Sequence, residues 1–254
     1  MVVENLLIFG ILGLITGSFL NVLIYRLNTE GSPSPVWGRS FCPKCKHQLS
    51  WSDNIPLLSF FLLNGKCRYC HKAISWQYPL VEAINTVLWL LAATVFPSGL
   101  AAGLYSLAAS LLLVIFFSDM LYGLIPDEAN IGLAALGVAV WFGRWPDLGL
   151  GLLSGLLVAG GFTLLIILSR GKAMGLGDVK LFLAMGVLLG WQNFVFALWL
   201  AFVSGGIVAG ALLLLKRKKI GATIPLGPFL VIAALTALFY GSQILATVNR
   251  LYFN

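Results

Sequence analysis

Six side chains in this sequence have types and spacings suited to chemistry: Asp119, Asp178 and the four cysteines Cys42, Cys45, Cys67 and Cys70. Asp119 directly follows the apolar run 111–117, and Asp178 opens an apolar run after Gly175-Leu176-Gly177. Ionisable side chains at membrane depth are costly and mark candidate functional sites. Two carboxylates within hydrogen-bond reach cannot both ionise cheaply, so they divide one proton and titrate as a pair. One then acts as a base on water while the other protonates the peptide oxygen or the leaving amine. Such hydrolysis needs neither a metal nor a covalent intermediate. Nothing local forces the pair together, because the two positions lie 59 residues apart. Plainer readings stand beside this one: Asp119 as a solvated residue at a helix C-terminus, and Asp178 as an N-cap. Asp127 and Glu128 compete for the acidic role, but Pro126-Asp127-Glu128 reads as a helix start, with Asp127 as a cap or positioning residue.

Cys42-Pro43-Lys44-Cys45 and Cys67-Arg68-Tyr69-Cys70 use every cysteine in the chain. Two intervening residues let both sulfurs of a tight turn face one ion, and two such turns complete a tetrahedron. The pattern predicts tetrathiolate zinc. Four cysteines leave no open coordination position, so the expected metal folds the loop and does not react. A pair of disulfides is the alternative, and it conflicts with a reducing cytoplasm. A redox role for one C-x-x-C leaves the other unexplained. His47 and His71 sit just beyond the cysteine pairs and are alternative ligands, read more simply as exposed basic loop residues.

These side chains must be positioned by membrane helices. Of 254 residues, 59% are apolar and 10% charged, with mean hydropathy +0.96. Soluble domains carry about a quarter charged residues, so this chain cannot cover a water-facing surface. The expected fold is an all-α polytopic membrane protein with about eight transmembrane helices and a small cytoplasmic zinc-binding loop domain. Apolar stretches fall near 5–25, 79–97, 100–118, 128–143, 148–169, 178–190, 193–215 and 226–248. The fourth and sixth are short, which suits a tilted, re-entrant or cavity-lining segment. The first lacks a basic leader and a small-residue cleavage site, so it reads as a retained helix.

Three parts follow: 1–27 as the first transmembrane helix, 28–78 as the cysteine-bearing domain, and 79–254 as the helical bundle. The cysteine domain opens on Gly31-Ser32-Pro33-Ser34-Pro35, an irregular loop. Its apolar block 55–63 is too short to span, so it lies on the membrane surface or packs within the domain. No short-period repeat or low-complexity tract is found. The formal charge of +7 is read as membrane topology, not as a nucleic-acid surface. The basic cysteine loop, Arg170/Lys172 and Lys216-Arg217-Lys218-Lys219 all fall on the inner side of an eight-span arrangement. Asp119 and Asp178 then face the same side, and both chain ends face outward.

Ordered motifs along nearly the whole chain resemble bacterial type IV prepilin peptidases, the bifunctional leader peptidase/N-methyltransferases of the GxGD aspartyl-protease type. The first span ends in Gly17-Ser18-Phe19-Leu20-Asn21-Val22-Leu23-Ile24-Tyr25-Arg26-Leu27. The loop carries the two cysteine pairs, Asp53-Asn54-Ile55-Pro56-Leu57-Leu58-Ser59 and Tyr78-Pro79-Leu80-Val81-Glu82. Asp119 stands six residues before Ile125-Pro126-Asp127; Gly175-x-Gly177-Asp178-Val179-Lys180 and Ile224-Pro225-Leu226-Gly227-Pro228-Phe229 follow.

The resemblance implies Asp119 and Asp178 as the catalytic aspartates of a peptidase in the bacterial inner membrane, active at its cytoplasmic face. It implies prepilin or pseudopilin substrates with a short basic leader, cut after a glycine. The new N-terminal residue is then methylated with S-adenosylmethionine, an activity associated with the cysteine loop. The motifs fix no individual methyl-donor contacts; Asn54 and Glu82 are the candidates. Lys180 is expected to contact an acidic substrate residue or the aspartates. Two departures, the segment Met120–Leu124 without a basic residue and Leu226 in place of a frequent phenylalanine, remove no group the reaction needs. A peptidase without methylation, a proton-coupled transporter and a non-catalytic assembly scaffold are the competing readings. The lipid membrane is an expected partner and nucleic acid is not. The pathway served and the oligomeric state are unreadable.

Overall fold

The computed structural model describes residues 2–32, 34–171, 174–215 and 225–252. Pro33, Lys172, the run 216–219 and Ile224, which figure in the loop, topology and late-motif readings, lie outside the described residues. The chain forms two compact units, Met1–Val114 and Ile115–Asn254. Among the described residues the structure is helical, with two isolated bridge pairs in the cysteine segment.

In the first unit, α1 (Val2–Leu27) packs against α3 (Gln77–Val95). Small residues let the two backbones approach, as in many membrane helix pairs. A Cβ on Gly13 would come within 2.9 Å of Thr86 Cα, and one on Gly17 within 2.9 Å of Glu82 Cα. Asn85, fully buried, donates from Nδ2 to the Gly13 carbonyl and to Thr16 Oγ1 (both 2.8 Å). Ser110, on α4 (Gly99–Tyr122), donates to Asn85 Oδ1 (2.7 Å) and accepts from Trp89 Nε1 (2.9 Å). This network satisfies polar groups that lipid would leave unpaired.

At the end of α1, Arg26 is buried, and its guanidinium donates to the carbonyls of Ser34, Trp37, Gly38 and Arg39. It gathers the start of the 28–78 segment onto the helix end. The apolar block 55–63 forms a short helix, α2 (Leu58–Leu62), whose buried Phe60 packs on Trp76 (centroids 4.9 Å apart). Packing within the domain therefore accounts for Phe60, while Phe61 and Leu62 are exposed.

The second unit holds the end of α4, α5 (Asp127–Val140), α6 (Trp145–Leu168), α7 (Leu176–Leu214) and α8 (Gly227–Tyr252). Among the described residues six helices, not eight, are long and apolar enough to cross a membrane. The difference has two causes. α5 forms as expected, but its 14 residues reach only about 21 Å, short of the roughly 30 Å hydrocarbon core. The expected segments 178–190 and 193–215 are joined in α7, which keeps a break at Gly190 (φ 73°, ψ 163°). A positive φ there suits glycine. The break disturbs the helical hydrogen-bond ladder, and Trp141 Nε1 donates to the Leu188 carbonyl beside it (3.1 Å). The first part of α7 is buried along most of its length, from Val179 to Gly190. It packs against α5, where a Cβ on Gly137 would meet the Leu188 backbone at 2.8 Å. It also packs against α6, where Gly186 lies against Gly151 and Gly155.

A Cβ on Gly186 would come within 2.7 Å of Gly155 Cα and 2.8 Å of the Gly151 carbonyl oxygen, both backbone atoms that cannot turn aside. Gly186→Ala should therefore destabilise the second unit by about 1–3 kcal/mol. Thermal unfolding of the purified protein in detergent checks this; an unchanged transition would mean that the two helices separate freely.

Candidate functional site

The second unit brings three helix ends to one place. α4 stops one turn after Asp119, where Gly123 turns left-handed (φ 66°) and its N–H donates to the Asp119 carbonyl (3.0 Å). α7 starts from the N-cap Gly175, with Asp178 as its third residue. The Gly175 backbone amide faces the Asp178 carboxyl, the arrangement of the acidic half of a capping box. Asp178 is thus not itself the N-cap. Asp119 is buried and Asp178 half-buried, and the charge of Asp119 reaches Asp178. The structure thus brings together two aspartates that sequence spacing alone could not join.

The third helix end is α8. A Cβ on its first residue, Gly227, would lie 2.5 Å from Asp119 Oδ2 and 2.9 Å from its Cγ. Only glycine leaves room for this carboxyl. The Gly227 amide faces it, yet Oδ2 is buried with no partner at hydrogen-bonding geometry among the described residues. Sequence reading quoted Gly227 within a motif but gave it no role; no local signal connects it to Asp119. Gly177 fits closely under Ile125, whose Cβ a side chain at 177 would meet at 3.0 Å.

Asp127 does not cap α5. The N-cap is Pro126, and Asp127 instead pairs with Lys180 (2.7 Å), tying the start of α5 to the start of α7. Lys180 is engaged there and not with the aspartates. Glu128 is exposed in the first turn of α5.

In the first unit, all four thiols lie within 4.8 Å of one another, a group that could hold a metal ion such as zinc. Cys42 Sγ and Cys70 Sγ are 4.0 Å apart and every cysteine is free, so no disulfide forms. Tetrahedral Zn–S bonds of about 2.3 Å put sulfurs roughly 3.8 Å apart. The two cysteine turns repeat one backbone design. Cys42 N–H donates to His47 O and Lys46 N–H to Cys42 O; 25 residues on, Cys67 N–H donates to Lys72 O and His71 N–H to Cys67 O. Lys46 and His71 both adopt positive φ (61° and 56°). This local repetition is invisible in the residue types. Burial pushes the Cys42 thiol up, but the Cys45 and Lys44 amides and neighbouring thiols outweigh it and bring it to about 7. For Cys70, the Lys72 amide acts downward; burial and the other three thiols prevail and raise it to about 11. His47 stacks on Tyr69 (3.7 Å) and is exposed, as is His71; neither joins the thiol group.

Beside the thiols lies a cavity of about 460 Å³, within the size range of small-molecule sites. Its walls include Tyr25, Phe41 and Phe60, and its polar lining includes Asn21, Asn54 and Glu82. Both candidates, Asn54 and Glu82, therefore line it. Asp53 braces the wall: its carboxylate accepts from Ser50 N–H (3.1 Å), Ser50 Oγ (2.7 Å) and Arg68 Nε (2.7 Å).

A family model described as the bacterial peptidase A24 N-terminal domain matches residues 11–96. Another, the type IV leader peptidase family, matches 106–210. Curated relatives named prepilin leader peptidase/N-methyltransferase include one from Aeromonas salmonicida, 34% identical over 91% of this chain and 89% of its own length. The Legionella pneumophila protein is 32% identical over 94% of this chain and 92% of its own. That of Stutzerimonas stutzeri is 34% identical over 93% and 91%. No solved structure matches the chain.

Burial raises the Asp53 carboxyl, but the Ser50 and Arg68 hydrogen bonds outweigh it and hold the group below its usual range. A carboxyl lowered in the folded state stabilises fully above its unfolded value of about 3.9 and loses that contribution as pH falls through the lowered value. Asp53→Asn should thus cost about 1–2 kcal/mol at pH 7. The gap from wild type should shrink below about pH 4, as thermal unfolding across pH will show.

Proposed function

The chain belongs to the type IV leader peptidase family, and from that premise we propose that it removes the basic leader of prepilins or pseudopilins and then N-methylates the new N-terminal residue. What supports the first activity is that, within a single unit, Ile125, six residues past Asp119, packs on Gly177 beside Asp178, close enough for the charge of Asp119 to act on Asp178. A transporter reading accounts for buried acids but not for two of them meeting where three helix ends converge.

In the proposed reaction the two carboxyl groups hold one water and one proton between them. The ionised carboxylate takes a proton from the water as it attacks the scissile carbonyl carbon. The protonated partner donates its proton to the peptide oxygen; the proton taken from water then passes from the first carboxyl to the leaving nitrogen, and collapse of the diol returns a proton to the partner. Gly227 keeps the approach to Asp119 open, and its amide adds a fixed dipole beside that carboxyl. The apolar helix of a pilin precursor suits a membrane-embedded site, with its basic leader in the cytoplasm. The basic character of the segments between spans supports placing that face inward, in a bacterial inner membrane.

The second activity is assigned to the first unit, with 28–78 as its soluble part. Cys42, Cys45, Cys67 and Cys70 would hold a structural zinc ion, which folds the two turns into one wall of the cavity. The cavity fits S-adenosylmethionine on two observations. Asn21 Oδ1 is buried and unpartnered beside it, and aromatic rings suited to a purine line it. Tyr25, Phe41 and Phe60 would hold the purine, with Asn21 and Glu82 toward the sulfonium end of the donor. When bound, this donor supplies an electrophilic methyl group. This cavity is also what favours a bifunctional enzyme over a peptidase alone.

Three measurements test the reading. With purified protein, a prepilin and the methyl donor, product masses should show leader loss and one added methyl group. Asp119→Asn or Asp178→Asn should lower cleavage at least about a thousandfold; normal turnover by either variant would remove the aspartate assignment. Gly227→Ala should also slow cleavage markedly, because its methyl group displaces the Asp119 carboxyl. Wild-type protein should carry one zinc per chain and Cys42→Ser should lose it, with methylation falling and cleavage retained. Zinc-free, undamaged wild-type protein would overturn the metal assignment.

A further inference from the structure

Glu82 presents an unresolved charge. It is 7% exposed, lies on α3 at the cavity floor, and belongs to a helix apolar enough to cross a membrane. Its Oε2 accepts from the Leu57 N–H (2.7 Å), and the Ser18 hydroxyl also bonds its carboxyl. Both partners are neutral. Among the described residues no cation lies within ion-pairing distance of it. Of the four cationic side chains that line the cavity, Arg26 is held by four loop carbonyls and Arg68 by Asp53, and neither these nor Lys44 and Lys72 form an ion pair with Glu82 among the described residues. A buried carboxylate without a counter-charge is expensive. Next to it, Asn21 is 2% exposed. Its Nδ2 donates to the Tyr78 carbonyl (3.1 Å), which fixes the amide and leaves Oδ1 without a partner. Two acceptors, one of them a carboxyl group whose partners are both neutral, thus border one cavity.

We propose that Glu82, with Asn21, reads the positive charge of the methyl donor and so separates the donor from its spent product. This rests on the reading that the cavity takes S-adenosylmethionine. The donor's sulfonium is cationic, and its methyl hydrogens are polarised toward oxygen acceptors. In transfer, the acceptor amine's lone pair forms the N–C bond. The C–S bond breaks with its pair remaining on sulfur, and the amine sheds one proton. Sulfur is left a neutral thioether. Glu82 then loses the charge that compensated its burial, which favours release of S-adenosylhomocysteine and reloading with donor. Leu57, held by the same carboxylate, sits at φ 60°, a strained position for leucine. Glu82 thereby also links the charge at the cavity floor to the loop above it.

The test is binding, measured by equilibrium dialysis with the zinc-loaded full chain in detergent. Wild type should hold S-adenosylmethionine at least about tenfold tighter than S-adenosylhomocysteine, as expected for a paired buried charge. Glu82→Gln keeps an acceptor for Leu57 and removes the charge. It should bring the two affinities within about twofold, mainly by weakening the donor, with zinc content unchanged. A ratio in Glu82→Gln equal to that of wild type would overturn the inference and leave Glu82 as a tether for Leu57. Should this variant lose zinc, the wild type alone still decides. A donor analogue with an ammonium in place of the sulfonium should bind like the donor, and binding like the thioether would overturn the inference. Failure of wild type to bind any of the three would instead remove the donor from this cavity, and with it the reading on which the inference rests.

Discussion

Two acidic side chains held close together in an apolar helical bundle repel each other and are poorly solvated, so the surrounding backbone must keep them there. In the second unit that constraint is met at helix ends. Gly123 stops α4 one turn past Asp119, Gly175 starts α7 three residues before Asp178, and Gly227 starts α8 against the Asp119 carboxyl. Helix ends expose free amides, and glycine brings them within reach of a carboxyl. Among the described residues the pair is therefore supported by backbone and not by counter-ions. The cationic Lys180 nearby pairs with Asp127 at the surface, where the starts of α5 and α7 lie side by side.

Rigidity behind this convergence comes from close-packed glycines. Gly137, Gly151, Gly155 and Gly186 let α5, α6 and the first part of α7 approach to backbone contact. Lipid provides no hydrophobic drive for helices to associate, so packing and internal hydrogen bonds carry the assembly. The same device recurs in the first unit, where Gly13 and Gly17 seat α1 on α3. There it lines up Asn21 and Glu82 on one cavity floor, while the cysteine turns form part of the wall. Both units thus use small residues to place costly polar groups where a ligand or substrate can compensate them.

Much of this was legible in the residues. Composition settled a polytopic helical membrane protein, because a chain with so few charges has no other way to bury its apolar surface. Spacing named the cysteine quartet, since two-residue gaps are local geometry and survive any fold. Motif order identified the family, and the types of Asp119 and Asp178 marked them as unusual. The number of spans was less legible. A window of hydropathy sees apolarity but not how helices join, so α5 and the two parts of α7 read as separate candidate spans, two of them already short.

What the sequence could not contain was proximity. Asp119 lies against Gly227 and within electrostatic reach of Asp178 only because three helices separated by long stretches of chain end near one another. Asp127 pairs with Lys180 instead of capping its own helix for the same reason. Glu82 reads as one more motif letter until folding sets it with Asn21 on the wall of one cavity. Residue type and local spacing are properties of short segments, which the sequence determines by itself. The meeting of distant carboxyl groups, orphaned acceptors and Cβ-free glycines depends on how helices pack, which only the tertiary structure decides.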